Sequence, residues 1–307
     1  MFTCSLRSGS AGNSIYVEAG QTRLLIDAGI SGRQAQERRA THNRSIEGAD
    51  ALLISHDHSD HVACAGVFHR RFRMPVYMTR ATHDHVHGRL GKLRDVRHFQ
   101  AGTAFEINDV LIHALPTPHD AVDGVVFVIE HAGKRLGIFT DLGWPFPELA
   151  ATLETVDAAY LESNYDPEML RTGPYSADLQ ARIRGTGGHL SNDEAAELRR
   201  ACNGRHRWIA LAHLSEENNR PEIAMCTHQR IAGEKSVVHL APTQTLAYVR
   251  RVKAPSSAGT PWPTFSAADK PPNRLRHRRS VGPPRPTSSA ARKIPGICLN
   301  LPHPLRA

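Results

Sequence analysis

A chain of 307 residues with 40% hydrophobic content can bury one large core or two small ones, and it has no run of 18 apolar residues that would cross a membrane. Its five cysteines are scattered and form no C-x-x-C pair, and no apolar signal core lies near the start; both point to reduced thiols and a cytoplasmic location rather than a disulfide frame or a cysteine-bound metal. The net charge of +8 belongs wholly to residues 254–307, which hold nine Lys/Arg against one acid, whereas residues 1–253 carry 29 of each sign.

The predicted elements run, in chain order, as strands over 14–18 and 23–27, a helix over 32–40, a strand over 51–55, and helices over 62–71 and 81–87. Strands follow over 110–114, 125–130, 136–140 and 158–162, with a hairpin turning at Ala132-Gly133-Lys134. A helix over 191–201 opens on Ser-Asn-Asp-Glu, a capping box that fixes its start. A strand over 208–212, a helix over 220–232, a strand over 236–240 and a helix over 243–252 complete the pattern. This alternation predicts an α/β domain over residues 1–253 with sheets inside and helices outside. Residues 254–307 hold eleven of the twenty prolines and no hydrophobic period. They are expected to be a disordered tail, either incidental or able to meet nucleic-acid phosphates.

One stretch demands an explanation. His56-Asp57-His58-Ser59-Asp60-His61 places three imidazoles and two carboxylates at the end of a predicted buried strand. Residues two apart in an extended segment face one way, so His56 and His58 can reach one cation, and Asp60 and His61 a second after the turn. These donors suit Zn, Mn or Fe, and two neighbouring ions can hold a hydroxide between them at neutral pH. A chance cluster in a histidine-rich chain is the alternative, and the preceding strand weighs against it.

The H-x-H-x-D-H pattern after a strand resembles the metallo-β-lactamase superfamily, and further motifs follow in that family's order. Pro118-His119-Asp120 resembles its third ligand motif, Phe139-Thr140-Asp141-Leu142-Gly143 its bridging-aspartate motif, and Leu211-Ala212-His213-Leu214-Ser215 its last histidine motif. The resemblance covers about residues 1–250 and implies an αββα sandwich, with two central mixed sheets flanked by helices. It further implies that His56, His58 and His119 hold one metal, that Asp60, His61 and His213 hold a second, and that Asp141 bridges. SGSAGNS from Ser8, LIDAG from Leu25, LESNYD from Leu161, GHLSN from Gly188 and LAHLSEENN from Leu211 are together similar to the YycJ/WalJ-type branch, which is related to PhnP-type cyclic phosphodiesterases and RNase Z-like nucleases. The cysteine-rich structural zinc site of PhnP-type proteins has no counterpart here.

Other residues carry weaker signals. Asp27 either supports the ligands or merely forms a turn before Gly29. His189 beside the metals would protonate a leaving alkoxide or hold a phosphate oxygen, and with Asp60 it is the candidate catalytic residue. Asp57 reads as a solvated or supporting acid, Asn164 and Tyr165 as pocket-lining, and Asn13 and Ser14 as amide donors or simply part of a turn. His83, His85 and His87 at spacing two on a helix cannot share one ion and read as a solvated face. Arg70, Arg71, Arg73, Arg89, Lys92, Arg94 and Arg97 form a basic region that either grips phosphates near the mouth or is ordinary surface. The expected function is dinuclear-metal phosphodiester hydrolysis through a metal-bridging hydroxide, with nucleic acid as substrate and DNA exonuclease activity leading. Small cyclic phosphates are the alternative, favoured by the neutral core, and thioester or lactone hydrolysis a more distant one.

Overall fold

In a computed structural model, the structure describes residues 1–40, 45–202, 206–233, 237–241 and 248–251. The Pro/Arg-rich 254–307 stretch lies outside the described residues. The described chain opens with β1 (Phe2–Arg7), β2 (Ser14–Ala19), β3 (Thr22–Ile26), α1 (Gly32–Ala40) and β4 (Ala51–Leu53). Then come α2 (Ser59–Val62), α3 (Ala65–Phe72), β5 (Val76–Thr79), α4 (Arg80–Leu90), β6 (Val96–Phe99), β7 (Ala104–Ile107), β8 (Val110–Pro116), β9 (Val125–His131) and β10 (Lys134–Phe139). The remainder is α5 (Pro147–Leu153), β11 (Ala158–Glu162), α6 (Pro167–Thr172), α7 (Ala177–Arg184), α8 (Asn192–Ala201), β12 (Trp208–Ala212), α9 (Pro221–Ala232), β13 (Val237–Leu240) and β14 (Tyr248–Arg251).

Two seven-stranded sheets result, ordered β14-β1-β2-β3-β4-β5-β6 and β13-β12-β11-β10-β9-β8-β7. In the first, β1 to β3 are antiparallel and β3 to β6 parallel. In the second, β7 to β10 are antiparallel and β10 to β13 parallel. The inner faces meet in one core, where Val17, Leu24, Ile26 and Leu53 of one sheet join Ile112, Phe127, Ile129 and Tyr160 of the other. The outer face of the first sheet packs Leu25, Leu52 and Val76 against Ala35, Phe68 and Val86 of α1, α3 and α4. That of the second packs Val128, Leu161 and Ile209 against Leu149, Leu198 and Ala224 of α5, α8 and α9. Four layers, helix–sheet–sheet–helix, make the predicted αββα sandwich. Strands buried on both faces explain the unbroken aliphatic runs of β4, β11 and β12.

Two predicted features sit at their expected places. Ala132 and Gly133 both have positive φ, 50° and 68°, the backbone that a two-residue hairpin requires between β9 and β10. The Ser191 hydroxyl accepts from Glu194 N, and the Glu194 carboxylate accepts from Ser191 N, closing the capping box of α8. Others change. The predicted helix over 62–71 is two pieces, α2 and α3, because Cys64 N donates to Ala28 O at 2.9 Å rather than back along the helix. The predicted helix over 243–252 is overturned within the described residues: Tyr248–Arg251 is a strand, drawn into extended form by the open edge of β1. Short strands β5, β6 and β7 were not predicted.

Within the described residues, no helix is long and apolar enough to cross a membrane. Replacing Ser191 with Ala removes the cap of α8 and should lower unfolding free energy by about 1 kcal/mol, measured by urea denaturation.

Candidate metal centre

The site is built where strands end. The carboxyl ends of β3, β4, β8, β10, β11 and β12 deliver Asp27, His56, His119, Asp141, Glu162 and His213 to one place. Crevices at such strand ends are the usual ligand sites of α/β sheets. Asp27, Asp141 and His213 adopt φ of 64°, 61° and 54°, half of the positive-φ non-glycine residues among those described. Strained backbone of this kind persists where the surroundings over-determine it, as at functional sites. Gly29 admits the loop: a Cβ there would lie 1.6 Å from Asp60 O, so the 56–61 turn can close only over a glycine.

All seven predicted ligands converge. Three donor groups have ligand atoms within 4.8 Å of one another: His56, His58 and His119; Asp60, His61 and His213; and His56, His61 and Asp141. A fourth joins Asp141 and His213 to His189 and Glu162. His119 Nε2 lies 3.1 Å from His58 Nδ1, and His213 Nε2 lies 3.4 Å from both Asp60 Oδ2 and Asp141 Oδ1. The outer nitrogens are occupied. His61 Nδ1 donates to Asp27 Oδ2 at 2.8 Å, His119 Nδ1 donates to Gly188 O at 2.8 Å, and His56 Nδ1 meets Ser55 Oγ at 2.9 Å. Each ring therefore turns its other nitrogen inward, the tautomer that a metal ligand needs.

The inward atoms test whether cations fit. His56 Nε2 and Asp141 Oδ2 are buried and make no hydrogen bond. Asp141 Oδ2 lies 3.2 Å from His61 Nε2 without hydrogen-bond geometry. Such atoms are costly to bury unless something positive stands among them, and a mixed imidazole–carboxylate set suits divalent metals. The electrostatics agree. Burial, reinforced by His61, pushes His56 well below its usual value, and burial takes His119 down to about 4, so both are neutral donors. Burial also opposes charge on His213, but the Asp141, Asp60 and Glu162 carboxylates outweigh it and push that imidazole up to about 9. His61 is raised well above its usual value, with Asp141, Asp60 and Asp27 overcoming burial. Burial of Asp141 is likewise outweighed, by His213 and His61, which hold its carboxyl well below the usual range.

Supporting residues complete the picture. Asp27 is more than a turn former: its Oδ1 also accepts from Ser55 N at 2.8 Å. Asn13 Nδ2 donates to Asp60 Oδ2 at 3.2 Å, and Ser8 Oγ accepts from His213 N at 2.8 Å, so the Gly-rich loop braces both flanks. Asn164 Nδ2 lies 3.0 Å from His213 Nδ1, whereas Tyr165 is buried with Leu170 and Ile183. Asp57 is buried rather than solvated and accepts from Val122 N. His189 stands beside the centre, its ring 4.9 Å from that of His119 and 5.2 Å from that of His213. Its Nδ1 donates to Glu162 Oε1 at 2.7 Å. Glu162, wholly buried, was assigned no role in the sequence; its place in LESNYD at a predicted strand end was the available signal. Asp120 carries no signal of its own in the sequence beyond its place after His119, yet its Oδ1 lies 3.7 Å from the outer nitrogen of His58. His85 lies 3.4 Å from Asp57, His83 bonds His98 and His87 bonds Asp84 O, so the three spaced histidines face different partners. Of the basic region, Arg89 reaches the metal loop, donating to Asp57 O, while Arg70 and Arg97 bond Leu90 O and Asp95.

This fold and this cluster define a metallo-β-lactamase-type protein: residues 22–214 match the family model described as a beta-lactamase superfamily domain, and the chain belongs to that superfamily. Within it the chain belongs with the WalJ/YycJ proteins. It is 37% identical over 227 residues to "Exodeoxyribonuclease WalJ" of Streptococcus pneumoniae, spanning 72% of this chain and 84% of that one. It is 30% identical over 233 residues to "Exodeoxyribonuclease YycJ" of Bacillus anthracis, spanning 75% and 88%. The metallo-beta-lactamase fold protein YhfI from Bacillus subtilis shares the fold, with a TM-score of 0.63 over 82% of this chain and 100% of that chain at 17% identity.

Two outcomes follow from the site. Asp27→Asn weakens the hold on His61 and should lower metal affinity about 10–100-fold, read by titration against a chromophoric chelator. Loading the metal-free protein with Zn2+ at pH 7 in weak buffer should release protons, because His213, raised to about 9, must become neutral to bind; affinity therefore falls as pH is lowered.

Proposed function

We propose that the chain is a metal-dependent phosphodiester hydrolase that acts on nucleic acid, with exodeoxyribonuclease activity, and that residues 1–253 form its hydrolase domain. One observation carries the reading. Histidine and carboxylate donors from distant segments form overlapping groups, two of which contain the buried Asp141, in a chain whose relatives at 30–37% identity are named exodeoxyribonucleases.

His56, His58 and His119 would hold one divalent ion, Asp60, His61 and His213 a second, and Asp141 would touch both; Zn, Mn and Fe all suit this donor set. Bound ions supply charge neutralisation at the phosphoryl oxygens and lower the pKa of water. The chain's own residues do the rest. Asp27, Ser55, Gly188 and Asn164 hold the ligand rings still. His189, anchored through Nδ1 to Glu162, keeps Nε2 for the proton that the leaving oxygen must receive, since an alkoxide leaves poorly without one. Asp60 fixes the orientation of the reacting water by its place between His61 and His213. In-line displacement at phosphorus asks for this combination of positioning and charge.

A small cyclic phosphodiester is the second reading, favoured by the equal numbers of acidic and basic residues in 1–253, since duplex binders usually show a basic face. Assays on single-stranded DNA, duplex DNA, RNA and a ribose cyclic phosphate, with Mn2+ or Zn2+, separate the two. The nuclease reading expects DNA cleavage; cleavage of the cyclic phosphate alone would overturn it, and cleavage of thioesters or lactones alone would overturn both. His213→Ala should reduce DNA cleavage by at least about 100-fold while the circular dichroism spectrum stays native. His189→Ala and Glu162→Gln should each lower kcat by about 100-fold with KM little changed, because both act on the proton and not on binding.

A further inference from the structure

Hydrolysis alone leaves part of the rim unexplained. The exposed large hydrophobic side chains among the described residues are Val67, Val122 and Trp144. Val122 stands three residues beyond His119, and Trp144 three beyond Asp141. An indole held partly in water beside a cluster of donors offers an aromatic face on which a planar group can stack.

Trp144 is presented from a fixed turn. Leu142 N donates to Glu162 Oε2 at 3.0 Å, and Trp144 N donates to Leu142 O at 2.8 Å. Pro145 then restricts Trp144 to extended backbone. Gly143, at φ 71°, is wedged in place: a Cβ would lie 2.4 Å from Thr186 O and 3.3 Å from Pro118 Cγ. The turn is thus packed between the residue preceding His119 and the loop leading to His189. The indole leans on Phe146, ring centroids 6.3 Å apart, and stays 38% exposed. Little conformational entropy remains to be lost when such an aromatic takes a ligand.

A cation is pinned on the same rim. Arg182, in the last turn of α7, donates through Nε and Nη2 to Asp120, at 2.6 and 3.0 Å. Asp120 N donates to Gly187 O at 2.9 Å, which ties the pair to the loop that also flanks Gly143. Asp120 Oδ1 lies 3.5 Å from His119 Nε2, so the guanidinium stands one carboxylate away from the metal cluster. Half of the Arg182 side chain is in solvent, leaving donors to meet an anion.

We propose that Trp144 and Arg182 form a platform for an unpaired nucleotide adjoining the scissile bond: the indole stacks on the base and the guanidinium grips the neighbouring phosphate. This rests on the nucleic-acid reading above and deepens it. Aromatic stacking and backbone charge are how single strands are held without sequence preference. An indole can stack only on a base face that no neighbouring base covers, so the platform selects strand ends and single strands over duplex interior.

The test uses metal-loaded, full-length protein and fluorescent single-stranded oligodeoxynucleotides, one intact and one with abasic terminal residues. Trp144→Ala should lower kcat/KM on the intact strand about tenfold. On the abasic strand wild type should already show that loss, and the variant should add less than twofold to it. Trp144→Phe, which keeps a stacking face, should restore most of the activity on intact strand. Arg182→Gln should reduce the slope of log KM against log salt by about 0.7, and Arg182→Lys should return it. Equal tenfold losses on intact and abasic strands would overturn the platform, as would no loss on the intact strand, while leaving the nuclease reading in place. If wild type cleaves bis(p-nitrophenyl) phosphate but neither strand, the nucleic-acid reading itself fails, and the platform with it.

Discussion

Asp141 is the point on which the structure turns. Its carboxylate is buried, and one of its oxygens makes no hydrogen bond although the imidazoles of His61, His213, His119 and His189 lie 3.2–3.7 Å from the carboxylate. An unpaired buried carboxylate is among the most expensive things a protein can contain. Here the compensation comes from His61 and His213, whose imidazoles the surrounding carboxylates hold in the charged form and which arrive from loops distant in sequence. The two sheets bring their strand ends to one side, and so place these histidines within reach without any long excursion of the chain. The hydrophobic core between the sheets is what holds the charged cluster together, because it fixes the strands whose ends carry the donors.

Around this cluster runs a second ring whose work is orientation. Asp27 takes the outer proton of His61, Gly188 that of His119, and Glu162 that of His189. Each imidazole is thereby left with one nitrogen directed inward. Glu162 also accepts from Leu142 N and Leu190 N, so a single buried carboxylate links the turn that carries Asp141 to the loop that carries His189. Strain in the left-handed residues Asp27, Asp141 and His213 belongs to the same design. The chain turns sharply after each strand so that a side chain, rather than the backbone, faces the centre.

Much of this was legible before any coordinates. His56, His58, Asp60 and His61 are contiguous, so their spacing alone announces shared ligation. His119, Asp141 and His213 each follow a predicted strand, and a resemblance in motif order supplies the rest. What stayed hidden depends on contacts between distant segments. Glu162 reads as the last residue of a strand, and nothing local says that His189 will rest against it. Asp120 sits inside a recognised motif, but its partner Arg182 is 62 residues away. Strands β5, β6 and β7 are four residues each, too short to show alternation, and β6 and β7 expose half or more of their residues. Tyr248–Arg251 follows a helical pattern in sequence, and the edge of β1 overrides it. The 254–307 tail lies outside the described residues.

The central claim is that distant segments cage a pair of divalent ions on either side of Asp141. Anomalous diffraction at a metal absorption edge, from crystals of metal-loaded protein, addresses it most directly. The account predicts two peaks, one bonded to His56, His58 and His119, the other to Asp60, His61 and His213, with Asp141 reaching both. Peaks that leave Asp141 uncoordinated, or a single ion held elsewhere on the molecule, would contradict it.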